Sequence, residues 1–136
     1  MSEYLLDTNH ASPLVTLGHP LRQRVLERLE AGDTFAVCVP VVAETVFGIG
    51  LLPRAAQNRV EWARLQPMLP CYVPDEADAV SAAELQTALR RQGRQLETVD
   101  ALVAVIALRY GLTLLTTDGD FRAVPGLPHE NRLSVD

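Results

Sequence analysis

The stretch EYLLDTNH, Glu3–His10, decides how the rest of the chain is read. A short apolar run, Tyr4-Leu5-Leu6, has the length and composition of a buried strand. It stops on a carboxylate, Asp7, followed by two small polar residues, Thr8 and Asn9. A surface turn accounts for that ending, and so does the floor of a metal site. The two differ in what the other strands carry at their ends.

Further along the chain, apolar runs alternate with helical periodicity. Phe35–Val39 reads as a second strand, Leu69–Val73 as a third and Leu112–Thr117 as a fourth, and Arg132–Val135 is expected as a fifth. Between them lie helical patterns. Leu14, Leu17, Leu21, Val25 and Leu29 recur at helical spacing, interrupted at Gly18-His19-Pro20. Pro40 opens a helix that runs to about Leu52, and Pro53 separates it from another at Arg54–Leu65. Asp75–Arg91 is an Ala-rich helix ending near Gly93. Thr98 is placed to cap a last helix, stopped by Gly111. Strands alternating with helices predict an α/β fold: a mainly parallel sheet of four to five strands, flanked by helices in a three-layer arrangement over a single domain, 1–136.

Composition narrows the function. The chain has 136 residues and a formal net charge of −5. That balance gives no global pull toward nucleic acid, although a local basic face or a bound cation reverses the local sign. All 12 basic residues are Arg. The absence of Lys excludes the P-loop motif, Schiff-base and pyridoxal-phosphate enzymes, and the usual phospho-aspartate receivers. Cys38 and Cys71 sit singly in apolar runs and read as small core residues, a disulfide being the lesser alternative. No apolar run is long enough for a membrane span and the N-terminus lacks a signal-peptide pattern, so a cytoplasmic protein is expected.

In a parallel sheet, ligands bind at the carboxyl ends of the strands. Asp7 ends strand one and Asp118 ends strand four. Glu44 falls in the first turns of the helix after strand two. Asp100 begins the helix that feeds strand four through the tight Tyr110-Gly111 link, so its start faces the same rim. The helical neighbours of Glu44 are Pro40, Val41, Phe47 and Gly48, an apolar face with no Arg. This predicts a buried carboxylate, which must be protonated, paired or metal-bound. Four carboxylates together repel; two unit charges ~4 Å apart cost roughly 4 kcal/mol at an effective dielectric near 20. A divalent cation reverses the sign of that term, and oxygen-only ligands favour Mg²⁺ or Mn²⁺. Taken singly, Asp7 reads equally as a turn residue or helix cap, Asp100 as a complement to the helix dipole, and Asp118 with Asp120 as an ordinary turn. His10 reads as a hydrogen-bonding residue rather than a ligand.

Four pieces in order, LLDTN at Leu5–Asn9, VVAETVFG around Glu44, DALVAVIAL at Asp100–Leu108 and LLTTDGDF at Leu114–Phe121, resemble the PIN-domain nucleases. Within them, the similarity is to the VapC toxins of bacterial toxin–antitoxin pairs. The resemblance covers residues 4 to about 122. It implies a PIN-like fold and a metal-dependent endoribonuclease with Asp7, Glu44, Asp100 and Asp118 as the acidic quartet holding Mg²⁺ or Mn²⁺. Thr116 matches a small hydroxyl residue at the site and Asn9 a polar one, and Asp120 shares or takes the fourth acidic role. The implied partners are an RNA substrate, a small VapB-like antitoxin and a second copy of the chain in a homodimer. The implied reaction is hydrolysis of an RNA phosphodiester without a covalent enzyme intermediate. Two rivals remain at this point: a non-catalytic PIN-like RNA- or protein-binding module, and a metal-dependent phosphatase acting on small phosphate esters. Arg90, Arg91 and Arg94 read either as complements to a helix C-terminus or as RNA contacts.

Overall fold

A computed structural model describes residues 1–133. Five strands, β1 (Glu3–Leu6), β2 (Thr34–Cys38), β3 (Cys71–Tyr72), β4 (Thr113–Leu115) and β5 (His129–Glu130), form one sheet in the order β3-β2-β1-β4-β5. Every pairing is parallel. Six α-helices flank it: α1 (Thr8–Ala11), α2 (Pro20–Glu30), α3 (Val39–Gly50), α4 (Ala55–Leu65), α5 (Glu76–Arg91) and α6 (Thr98–Tyr110). Among the described residues, no helix is long and apolar enough to cross a membrane.

The central strands are apolar on both faces, as a covered parallel sheet requires. Leu5 aligns with Ala36 on one side and Leu114 on the other, Leu6 aligns with Leu115, and all five are buried. The chain leaves β1 toward β2 on one side and leaves β4 toward β5 on the other. The crevice between β1 and β4 is therefore the topological switch point, where open α/β sheets bind their ligands.

The α5–α6 hairpin fixes which end of α6 meets that crevice. Asp75 and Asp78 form a reciprocal capping box at the start of α5. Asp78 also receives Arg109, from the last turn of α6, on both carboxylate oxygens at 2.9 Å. Gly111, at φ 68, then turns the chain into β4. The helix consequently runs antiparallel to β4, and its first turn, with Asp100, stands at the carboxyl rim.

Several expectations are corrected. The fifth strand lies at His129–Glu130, and Arg132 and Leu133, the described part of the expected Arg132–Val135, are not strand, because the amides of Leu114 and Thr116, in and just after β4, find the carbonyls of Pro128 and Glu130. Arg132 instead bends back and donates to the Tyr4 hydroxyl at 2.9 Å; residues 134–136 lie outside the described residues. Helix α1 begins directly after Asp7, and the expected first helix is that short helix followed by a 3-10 turn, Ser12–Val15, which holds Leu14 in the core, while Leu17 lies beyond it and is exposed. Thr98 is the first residue of α6, and its N-cap is Glu97. Cys71, on the edge strand β3, is exposed, and both cysteines are free.

The capping box and the α5–α6 pin converge on one side chain that is 3% exposed. Asp78→Ala is expected to destabilise the protein by about 1–2 kcal/mol, through the lost half of the capping box and the lost pair with Arg109, which keeps only Asp75 at 3.4 Å. Urea unfolding checks this; an unchanged midpoint contradicts it.

Candidate active site

The rim is built from backbone ends. Asp7 follows β1 and caps α1, its Oδ1 accepting from the Thr8 amide at 2.9 Å. Its Oδ2 accepts from the Thr116 hydroxyl at 2.8 Å and from the Asn9 side-chain amide at 3.2 Å. Thr116 follows β4, so this contact spans the switch point. The Thr116 hydroxyl oxygen also accepts from the Asp118 amide at 3.0 Å, which ties the β4 loop to Asp7. Asp118 caps the next 3-10 turn by accepting from the Asp120 amide at 2.9 Å. Glu44 is joined to the same group: the Thr8 hydroxyl donates to its Oε1 at 2.8 Å.

Glu44 corrects one step of the sequence argument. It is exposed, not buried. Of the neighbours that make its face look apolar in sequence, Val41 enters the core while Phe47 is exposed, and Glu44 stands on the solvent side of that boundary. The group with a burial problem is Asp100. It is half-buried and has no hydrogen-bond donor among the described residues. Burial first, and then the charges of Asp7, Asp118, Glu44 and Glu97, push its carboxyl up to about 7. The field at Asp100 thus brings together the four acids expected from the sequence and adds Glu97, which the sequence reading passed over. Its signal was its place three residues before Asp100 at a helix start.

His10 is the second residue whose role the structure defines. It is fully buried, and its Nε2 accepts from the Arg132 amide at 3.0 Å. The proton therefore sits on Nδ1, which donates to Asn9 Oδ1 at 2.7 Å. Burial, with the Arg132 charge second, lowers its pKa to about 4, so the ring is neutral at physiological pH. Asn9 Oδ1 also takes the Thr117 amide at 3.1 Å. With its oxygen so occupied, the Asn9 amide nitrogen is turned onto Asp7.

Electrostatic compensation separates this rim from the rest of the molecule. Three other buried acids each have an arginine: Asp33 with Arg28, Glu61 with Arg22 and Asp78 with Arg109. Asp7 is as buried as these, at 5%, and among the described residues neither it nor Glu44, Asp100 or Asp118 forms an ion pair. An all-oxygen, anionic and unpaired set fits a hard dication such as Mg²⁺ or Mn²⁺. As they lie, no three acidic, histidine or cysteine side chains among the described residues are close enough to grip one ion.

The PIN domain family model matches residues 4–127. The chain belongs to that family. Among solved structures, this PIN domain is similar to a chain of VapBC2 from Rickettsia felis bound to a promoter DNA fragment. The TM-score is 0.81 at 25% identity, covering 95% of this chain and 98% of that one. It is also similar to a chain of FitAcB from Neisseria gonorrhoeae, with a TM-score of 0.74 at 26% identity over 94% and 96%. A toxin–antitoxin complex from Klebsiella pneumoniae gives 0.61 at 25% over 91% and 94%. No curated protein matches the chain.

A raised carboxylate pKa opposes folding wherever the unfolded chain has already lost its proton. For Asp100, stability falls as pH rises from the ordinary Asp value of 3.8 to about 7 and is level above that. Asp100→Asn removes the penalty. Discounted for partial exposure to about 1 kcal/mol, the gain raises Tm of the metal-free protein by roughly 3–5 °C at pH 8 and vanishes near pH 4. Calorimetric melts at the two pH values check this, and a loss of Tm at pH 8 contradicts it.

Proposed function

We propose that this PIN domain is a divalent-cation-dependent endoribonuclease, the toxin of a toxin–antitoxin pair acting in the cytoplasm. The observation that carries the reading is the carboxylate cluster at the β1–β4 switch point, unpaired among the described residues, with Asp100 pushed up to about 7 by burial first and then by its acidic neighbours. A purely structural cluster would have an arginine, as Asp33, Glu61 and Asp78 do.

Asp7, Glu44, Asp100 and Asp118 would hold Mg²⁺ or Mn²⁺. Bound there, the cation would lower the pKa of water and offset charge growing on the non-bridging phosphate oxygens. The chain's own side chains set up that event. Thr116 and Asn9 hold Asp7 at one orientation across the switch point, and Thr8 holds Glu44. To serve as a ligand Asp100 would give up the proton it holds up to about 7, so metal affinity is expected to rise with pH through that value. Asp118 would supply the fourth carboxylate, and the exposed Asp120 follows it in the same turn.

The likeness to the toxin–antitoxin complex from Klebsiella pneumoniae supports a small antitoxin as partner. Exposed apolar residues offer it, or a second copy of the chain, a surface: Phe47, Leu51 and Leu52 at the end of α3, with Leu17 and Val60.

Purified protein is expected to cut single-stranded RNA with Mg²⁺ or Mn²⁺ and to stop in EDTA. Asp7→Asn should lower the rate by at least ~100-fold while leaving the fold intact by circular dichroism. RNA bound but never cut would favour a binding module. Phosphate released from a small ester, with RNA left whole, would favour a phosphatase.

A further inference from the structure

The acidic rim is flanked by a patch of opposite sign. Arg90, Arg91 and Arg94 fall within five residues at the α5–α6 turn. Among the described residues, none of the three pairs with an acid. Arg90 and Arg94 line a groove of about 440 Å³ between the end of α5 and the start of α6, together with Gln86, Gln95 and Thr98. Glu97 and Val99 line it too, on either side of Thr98, and Asp100 follows them in the first turn of α6, so the groove opens beside the carboxylate cluster.

The groove is braced. Gln86 donates from Nε2 to the Leu96 carbonyl at 2.9 Å and to the Thr98 hydroxyl at 3.3 Å, tying α5 to the loop. Gly93, at φ 75, makes the turn, and the Arg94 amide closes it on the Leu89 carbonyl at 2.9 Å. A favourable charge at a helix C-terminus accounts for Arg90 and Arg91. It does not account for Arg94, which lies past the helix end.

We infer that this groove seats backbone phosphates of the RNA, on nucleotides next to the bond that is cut. The inference rests on the nuclease reading and adds where the substrate lies. A chain of net charge −5 needs a local cationic track to hold a polyanion, and guanidinium groups suit phosphate oxygens through paired N–H donors. The Gln95 amide and the Thr98 hydroxyl, whose oxygen accepts from Gln86 and whose proton is left to donate, add hydrogen bonds that position a backbone without reading its sequence.

The test compares Arg90→Gln/Arg94→Gln with wild type in steady-state RNA cleavage with Mn²⁺ over a salt series. The same pair of changes is placed on the Asp7→Asn variant for RNA binding by fluorescence anisotropy in Mg²⁺. KM and the dissociation constant should rise roughly tenfold, with kcat within about twofold. The salt slope of log affinity should fall by about 1.4, from ~0.7 for each of two phosphate contacts on a single strand. Arg90→Lys/Arg94→Lys should restore the slope, and the charge-matched Arg24→Gln/Arg59→Gln should leave KM near wild type. An unchanged KM and slope, or an equal loss in the charge-matched variant, overturns the groove while the nuclease reading stands. Arginine-dependent binding without any cleavage keeps the groove and overturns the nuclease. RNA neither bound nor cut overturns both.

Discussion

Repulsion among carboxylates at the β1–β4 crevice is the constraint on which the site depends. The fold neutralises the buried Asp33, Glu61 and Asp78 with arginine and, among the described residues, leaves the rim acids without one. Hydroxyl and amide donors satisfy individual oxygens of Asp7 and Glu44, but they do not cancel charge. The cost falls on Asp100, which is half-buried, lacks a donor and holds its proton up to about 7. A site arranged in this way is unfavourable alone and becomes favourable with a dication.

The sheet makes the arrangement possible. Pairing β1 with β4 places Asp7 and Thr116 within hydrogen-bond reach although they are far apart in the chain. Thr116 then sets the loop that carries Asp118. The ion pair between Asp78 and Arg109, at the opposite end of the α5–α6 hairpin, fixes how α6 presents Asp100. The neutral His10 acts at one remove, because its tautomer dictates which face of Asn9 meets Asp7. Rigid elements thus carry the acids, and uncharged donors carry their orientation.

Much of this was legible in the sequence where local chemistry and topology agree. A strand ending on Asp7, another ending before Asp118, and a helix joined to β4 by Gly111 suffice to put three acids on one rim. The likeness of four short motifs to PIN domains supplied the fold, which the family model and the sheet bear out. What stayed hidden depended on long-range geometry. Glu44 looked buried because its whole apolar helical face was assumed to meet the core, whereas only Val41 of that face does and Phe47 is exposed. Cys71 looked like core because strand order cannot be read locally, and β3 is an edge. The two-residue β5 is too short for any periodicity, and its pairing is set by β4. Glu97 and His10 acquire roles only when the helix start and the returning Arg132 backbone are seen beside the site.

The most direct test is calorimetric titration of the RNA-free protein with Mn²⁺ or Mg²⁺ at pH 7, in two buffers of different ionisation enthalpy. Asp100, with its carboxyl at about 7, is about half protonated there. Binding should therefore release about half a proton per ion, and the release should disappear in Asp100→Asn. Binding with no proton release, or no binding of either ion, would contradict the account at its centre.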